Sequence, residues 1–124
     1  MAAEGIIFLV CDTVPDRVQN VTIRRSMVQS VHRNGSITII QNITWDAPPN
    51  HRNIQRYLIK YQMQGQPTSS ETKETSSNAT VATLVLLVPR GQTSIYSVWV
   101  AAVSEAGEGE FSDKVDFRYS SKTF

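Results

Sequence analysis

The chain holds a single cysteine, Cys11, in 124 residues. One thiol excludes an internal disulfide, a cysteine-based metal site and a redox pair, so packing has to stabilise the fold. Cys11 is read as a small buried hydrophobe or a remnant, ahead of a partner for a cysteine elsewhere. Histidine is nearly as scarce, and His32 and His51 fall in expected loops without metal-ligand spacing. Neither sign of charge is in excess, with 12 basic against 11 acidic residues. That balance excludes the basic stripe by which proteins grip nucleic-acid phosphates. The apolar run Ile6–Val10 follows Glu4 and Gly5 with no basic residue before it, and it is neither a membrane span nor a signal peptide. Glycine-rich phosphate loops and nucleophile–base–acid spacings are also missing. The expectation is therefore no catalytic, metal or cofactor site, and no membrane insertion by this segment.

What is present is alternation. The length suits one domain, and apolar residues alternate or cluster in short runs rich in Val, Ile, Thr and Tyr, with turn residues between them. No stretch keeps a helical spacing for three turns, and no repeat occurs. Ile37, Ile39, Ile43 and Trp45 share one face of an expected strand, while Gln41 on the inner parity and Ile40 on the outer reverse the rule, as a bulge or a sheet edge allows. Pro48-Pro49 ends that strand, because proline cannot donate to a ladder. Tyr57, Ile59 and Tyr61 line the next. Residues 65–78 are polar and read as a long loop or a frayed edge strand, the place for a seventh strand. Leu84–Val88, then Tyr96, Val98, Val100 and Ala102, then Phe111–Phe117 complete the set begun by Val18–Ile23.

Four fragments in order resemble the fibronectin type III family. They are Thr44-Trp45-Asp46-Ala47-Pro48-Pro49, then Ile54 with Tyr57, Ile59 and Tyr61, then Leu84-x-x-Leu87-x-Pro89, and finally the run Tyr96–Gly109. The resemblance implies an all-β fold, a seven-stranded antiparallel Greek-key sandwich over residues 14–119, with 1–13 an upstream remnant or linker and 120–124 a tail. It also implies a core of Trp45, Tyr57, Ile59, Tyr61, Leu84, Leu87, Tyr96, Val98 and Val100. Tyr96 corresponds to the tyrosine-corner residue, whose hydroxyl bonds back to upstream backbone. Pro89 lies seven residues before Tyr96, so Arg90–Ile95 is a lengthened corner, and Arg24–Asn34 is longer than the usual link between the first two strands.

Three features bear on function. Asn20, Asn34, Asn42 and Asn78 each open an Asn-x-Ser/Thr sequon, where about one is expected by chance from this composition. Asn42 on an outer face and Asn34 and Asn78 in turns are expected to be accessible to glycans. Trp99 points away from the core by parity, beside Leu58 and Lys60 of the neighbouring strand. It is either part of an exposed partner face or a ring lying flat under Lys60 and Lys114. The acidic turn Glu105–Glu110 lacks the Arg-Gly-Asp motif of some relatives, and Phe111–Val115 retains one serine of the Trp-Ser-x-Trp-Ser motif of others, so neither specialised activity is implied. Together these features point to an extracellular interaction or adhesion module, part of a longer receptor or adhesion protein, with a protein partner and neighbouring domains. The alternatives are a purely structural spacer and an intracellular scaffold module.

Overall fold

A computed structural model describes residues 14–49, 53–65 and 70–120. Eight strands and no helix occur among them: β1 (Gln19–Val31), β2 (Ile37–Asp46), β3 (Arg56–Met63), β4 (Glu71–Glu74), β5 (Val81–Val88), β6 (Thr93–Ser104), β7 (Gly107–Glu108) and β8 (Val115–Ser120). One antiparallel sheet has the order β1-β2-β5, and the other runs β4-β3-β6, with β7 and β8 both pairing β6. The chain changes sheets between β2 and β3, β4 and β5, and β5 and β6. This is the expected sandwich, with β7 a two-residue addition and β4 the strand hidden in the polar stretch.

Each sheet gives alternate side chains to the shared core. Ile37, Ile39, Ile43, Trp45, Leu84, Leu86 and Val88 come from one sheet, and Tyr57, Ile59, Val98, Val100 and Ala102 from the other. The Trp45 and Tyr57 rings meet edge to face at 5.0 Å, and Phe117 lies between Tyr96 and Tyr119 with centroids 5.9 and 5.4 Å away. Such contacts add about 0.5–1.5 kcal/mol each beyond area burial.

Of the expected core residues, Leu87 lies outside the core and Tyr61 packs against it from the rim. Leu87 is 49 % exposed, because a strand has period two and Leu84, Leu86 and Val88 hold the inner parity of β5. Tyr61 is half-buried at the rim, where its hydroxyl donates to Glu71 Oε2 across the β3–β4 pair at 2.8 Å.

The long first strand and Gln41 explain each other. The β1–β2 register jumps from Ile23↔Ile43 to Ser26↔Gln41, so Arg24 and Arg25 together face one residue of β2, a β-bulge. Because the bulge absorbs the extra residue, β1 continues to Val31 and the expected long link is ladder. Gln41, 2 % exposed, fills the defect: its amide nitrogen donates toward the carbonyls of Arg24 (2.7 Å), Arg25 (3.1 Å) and Asn42 (2.9 Å). Its oxygen accepts from the Tyr119 hydroxyl, which ties the bulge to β8 across the core. A buried polar group is tolerable when its partners are supplied, and here every polar atom of the side chain has one.

The lengthened corner leaves the tyrosine bond intact. Tyr96 Oη donates to the Leu87 carbonyl at 2.8 Å, nine residues upstream, while Gly91 takes a left-handed φ of 69° within the extra turn.

All four tyrosines have their pKa raised, in each case chiefly by burial. Tyr61, whose hydroxyl also donates to Glu71, is pushed up to about 12. With the folded pKa above the unfolded value near 10, the unfolded chain releases protons first on alkalinisation. Stability is therefore full below about pH 10 and falls as pH climbs toward about 12. Tyrosinate absorbance is expected to appear together with loss of tertiary circular dichroism. Four tyrosines ionising near pH 10 in a still-folded domain would contradict this.

Candidate interaction surfaces

Trp99, Lys60 and Leu58 lie together on the outer face of the larger sheet, since β3 and β6 pair Lys60 with Trp99 and Leu58 with Ala101. Their exposures differ. Leu58 is only 8 % exposed, which corrects the expectation of an open aromatic and aliphatic patch: it sits on a strand flanked on both sides, between Glu74 of β4 and Ala101 of β6. Trp99 is half-buried, and Lys60 Nζ stands 4.9 Å from its ring centroid. A cation held over an indole is worth about 0.5–1 kcal/mol at an exposed site. One side of the indole borders a shallow depression formed with Gln62, Gln64, Gly65, Ser97 and Lys114.

All four sequon asparagines are exposed. Asn34 forms the tip of the β1–β2 hairpin, where its Oδ1 accepts from the Ser36 amide and hydroxyl at 3.0 and 2.7 Å. Asn78 lies in the bend before β5. Asn42 Oδ1 accepts from Thr83 Oγ1 at 2.9 Å on the outer face of the smaller sheet. Asn20, with a left-handed φ of 57°, commits its Nδ2 to Asp46 Oδ2 at 2.6 Å.

The acidic turn is partly neutralised. Arg17 reaches Glu110 at 3.1 Å and Asp113 at 3.2 Å, and among the described residues no group of three or more His, Cys, Asp or Glu is arranged to hold a metal. Nor is any described helix long and apolar enough to cross a membrane.

Sequence reasoning missed an apolar face on the smaller sheet. Direct pairing places Met27, Ile40 and Val85 in one row across β1, β2 and β5, with Leu87 and Val81 on the same face of β5. Met27 is 66 % exposed, Val85 55 % and Leu87 and Val81 49 % each. The signal was available in Ile40 on the outer parity and in a β5 run that is apolar on both parities.

No curated protein sequence matches the chain closely enough to count as a relative. Solved structures do match. One described as a myokine structure shares 18 % identity at a TM-score of 0.60 over 83 % of this chain and 95 % of that one. The FN5 domain of Drosophila Lar shares 21 % at 0.54, covering 86 % and 98 %. A chicken CNTN1 fragment of domains FN1 to FN3 shares 18 % at 0.60, covering 86 % of this chain and 31 % of its own length. At these identities the likeness is one of fold. The fibronectin type III domain pattern itself matches residues 17–118, so the four ordered fragments, the two-sheet topology and the Tyr96 corner have one explanation: the chain belongs to the fibronectin type III domain family.

Proposed function

We propose that this domain is an extracellular protein-interaction or adhesion module within a larger receptor or adhesion protein. Its body is residues 14–119, with 1–13 an upstream remnant or linker and 120–124 a tail. The observation that carries the extracellular half is the exposure of all four sequon asparagines, each on a turn, strand end or outer face where a bulky glycan leaves the core intact. The chicken CNTN1 fragment, three such domains in series, is the kind of arrangement inferred here. Expressed behind a secretion signal in eukaryotic cells, the domain is expected to emerge with glycosidase-sensitive mass. Export without any such shift would remove the main support for this reading.

The candidate partner face is Trp99 with Lys60, edged by Leu58. A half-exposed tryptophan with a cation over one face of its ring supplies the large, low-entropy contact on which protein interfaces concentrate their energy. A spacer role is the second reading, and it is favoured by the way Lys60 already covers the ring. Trp99→Ala is expected to cost about 1 kcal/mol of stability, the lost cation contact and part of the ring's packing. A loss of about 3 kcal/mol or more in urea denaturation would assign Trp99 to the fold and favour the spacer.

A further inference from the structure

The outer face of the β1-β2-β5 sheet combines two features that belong apart. Met27, Val85, Leu87 and Val81, all exposed, and half-buried Ile40 make it apolar. Its last strand, β5, is also a sheet edge, with the sequence VATLVLLV and no charge, proline or glycine in it. An exposed, uncharged, β-branched edge is a template for pairing with other chains, and folded proteins cover or charge such edges. Lys73 of β4 blunts one point by donating to the Thr83 carbonyl, and at the Val81 end Arg24 donates to Thr44 Oγ1 with Asp46 beyond it on the same face, but no charged residue of β2 or β5 stands in the rows from Asn42↔Thr83 to Thr38↔Leu87.

Asn42 lies inside this surface. It pairs directly with Thr83, one row from Ile40↔Val85 on one side and from Thr44↔Val81 on the other. Val85 and Val81 are thus its diagonal neighbours, about 7–8 Å away, and Ile40 is two residues along its own strand, about 7 Å away. The Thr83 hydroxyl holds Asn42 Oδ1, which fixes the amide plane beside β5 and leaves Nδ2 as the atom to be modified.

We propose that an N-linked glycan on Asn42 lies over this apolar face, its first sugars packing on Ile40, Val81 and Val85 and keeping the β5 edge from pairing with a second copy. Of the four sequons, Asn42 alone stands in that surface, whereas Asn34 sits at a hairpin tip. The inference rests on the secretory reading above, and the test separates the two.

The full chain is secreted from eukaryotic cells, and occupancy at each sequon is read by mass spectrometry. Asn42 is expected to be occupied in most molecules, and the protein to sediment as a monomer that binds the hydrophobic dye ANS weakly. Enzymatic removal of the glycan, or Asn42→Gln, is expected to raise dye fluorescence at least threefold and to produce self-association. Val85→Thr with Leu87→Thr in the Asn42→Gln background is expected to reverse both changes, and Asn34→Gln to cause neither. Glycans at other sequons with Asn42 bare would overturn the shield and leave the secretory reading standing, whereas no glycan anywhere would overturn both. An occupied Asn42 whose removal changes neither readout, or a glycosylated protein that dimerises through this face, would also overturn it.

Discussion

Gln41→Leu is expected to lower unfolding stability by about 4 kcal/mol, although leucine is the more apolar residue and the site is 2 % exposed. Leucine would strand the Tyr119 hydroxyl in the core and the Arg24 and Arg25 carbonyls in the bulge. Each buried group left without a partner costs about 1–3 kcal/mol, more than the added methyl area returns. Tyr119→Phe alone removes one donor and leaves the Gln41 amide on its carbonyls, so about 1 kcal/mol is expected. In the double variant the stranded hydroxyl is gone, and the combined loss should fall short of the sum by about 1 kcal/mol. Urea denaturation of the four proteins completes the cycle. A Gln41→Leu variant as stable as the parent, or strictly additive losses, would show that the bulge is not held by this side chain.

Gly109→Ala is expected to cost about 3 kcal/mol, from steric overlap and with no contribution from lost flexibility. A methyl group there would run into the Pro15 carbonyl, which is backbone and cannot swing aside. The same glycine donates its amide to Ala102 O at 2.8 Å, so it cannot retreat without breaking the pairing beside β6. Arg17, two residues beyond Pro15, grips Glu110 and Asp113 across the same seam. Gly65→Ala is the comparison: its φ of +83° makes alanine strained, but among the described residues no atom beyond its chain neighbours lies within 4 Å of the added carbon, and about 1 kcal/mol is expected. If Gly109→Ala melts no lower than Gly65→Ala, the seam between Pro15 and the turn carries none of the stability assigned to it.

Much of the fold was legible because its main signal is local. Period-two alternation in β2 and β6 identifies their inner faces without knowledge of partners, and proline marks where a ladder stops. The misplacement of Leu87 has the same root: a three-residue spacing taken from family likeness was set against a two-residue period, and the period won. The candidate partner face was half legible. Parity put Trp99 and Leu58 on one outer face, but exposure depends on what lies alongside, and parity contains nothing about that. The apolar face on the other sheet escaped because its members are scattered over β1, β2 and β5, and only the register brings Met27, Ile40 and Val85 into one row.

The sequence alone was enough for the single cysteine's exclusion of an internal disulfide, the near-balance of basic and acidic residues, the strand pattern, and the family through four motifs in order. Each is a property of composition or of residues close in the chain. The tertiary structure alone decided that Gln41 belongs in the core, that the Tyr96 hydroxyl ends on Leu87, and that Asn42 stands among exposed valines. Those facts depend on register and on a bulge in a different strand. They join residues 9 to 78 positions apart, and side-chain chemistry at one position does not encode which backbone carbonyl a distant strand will bring to it.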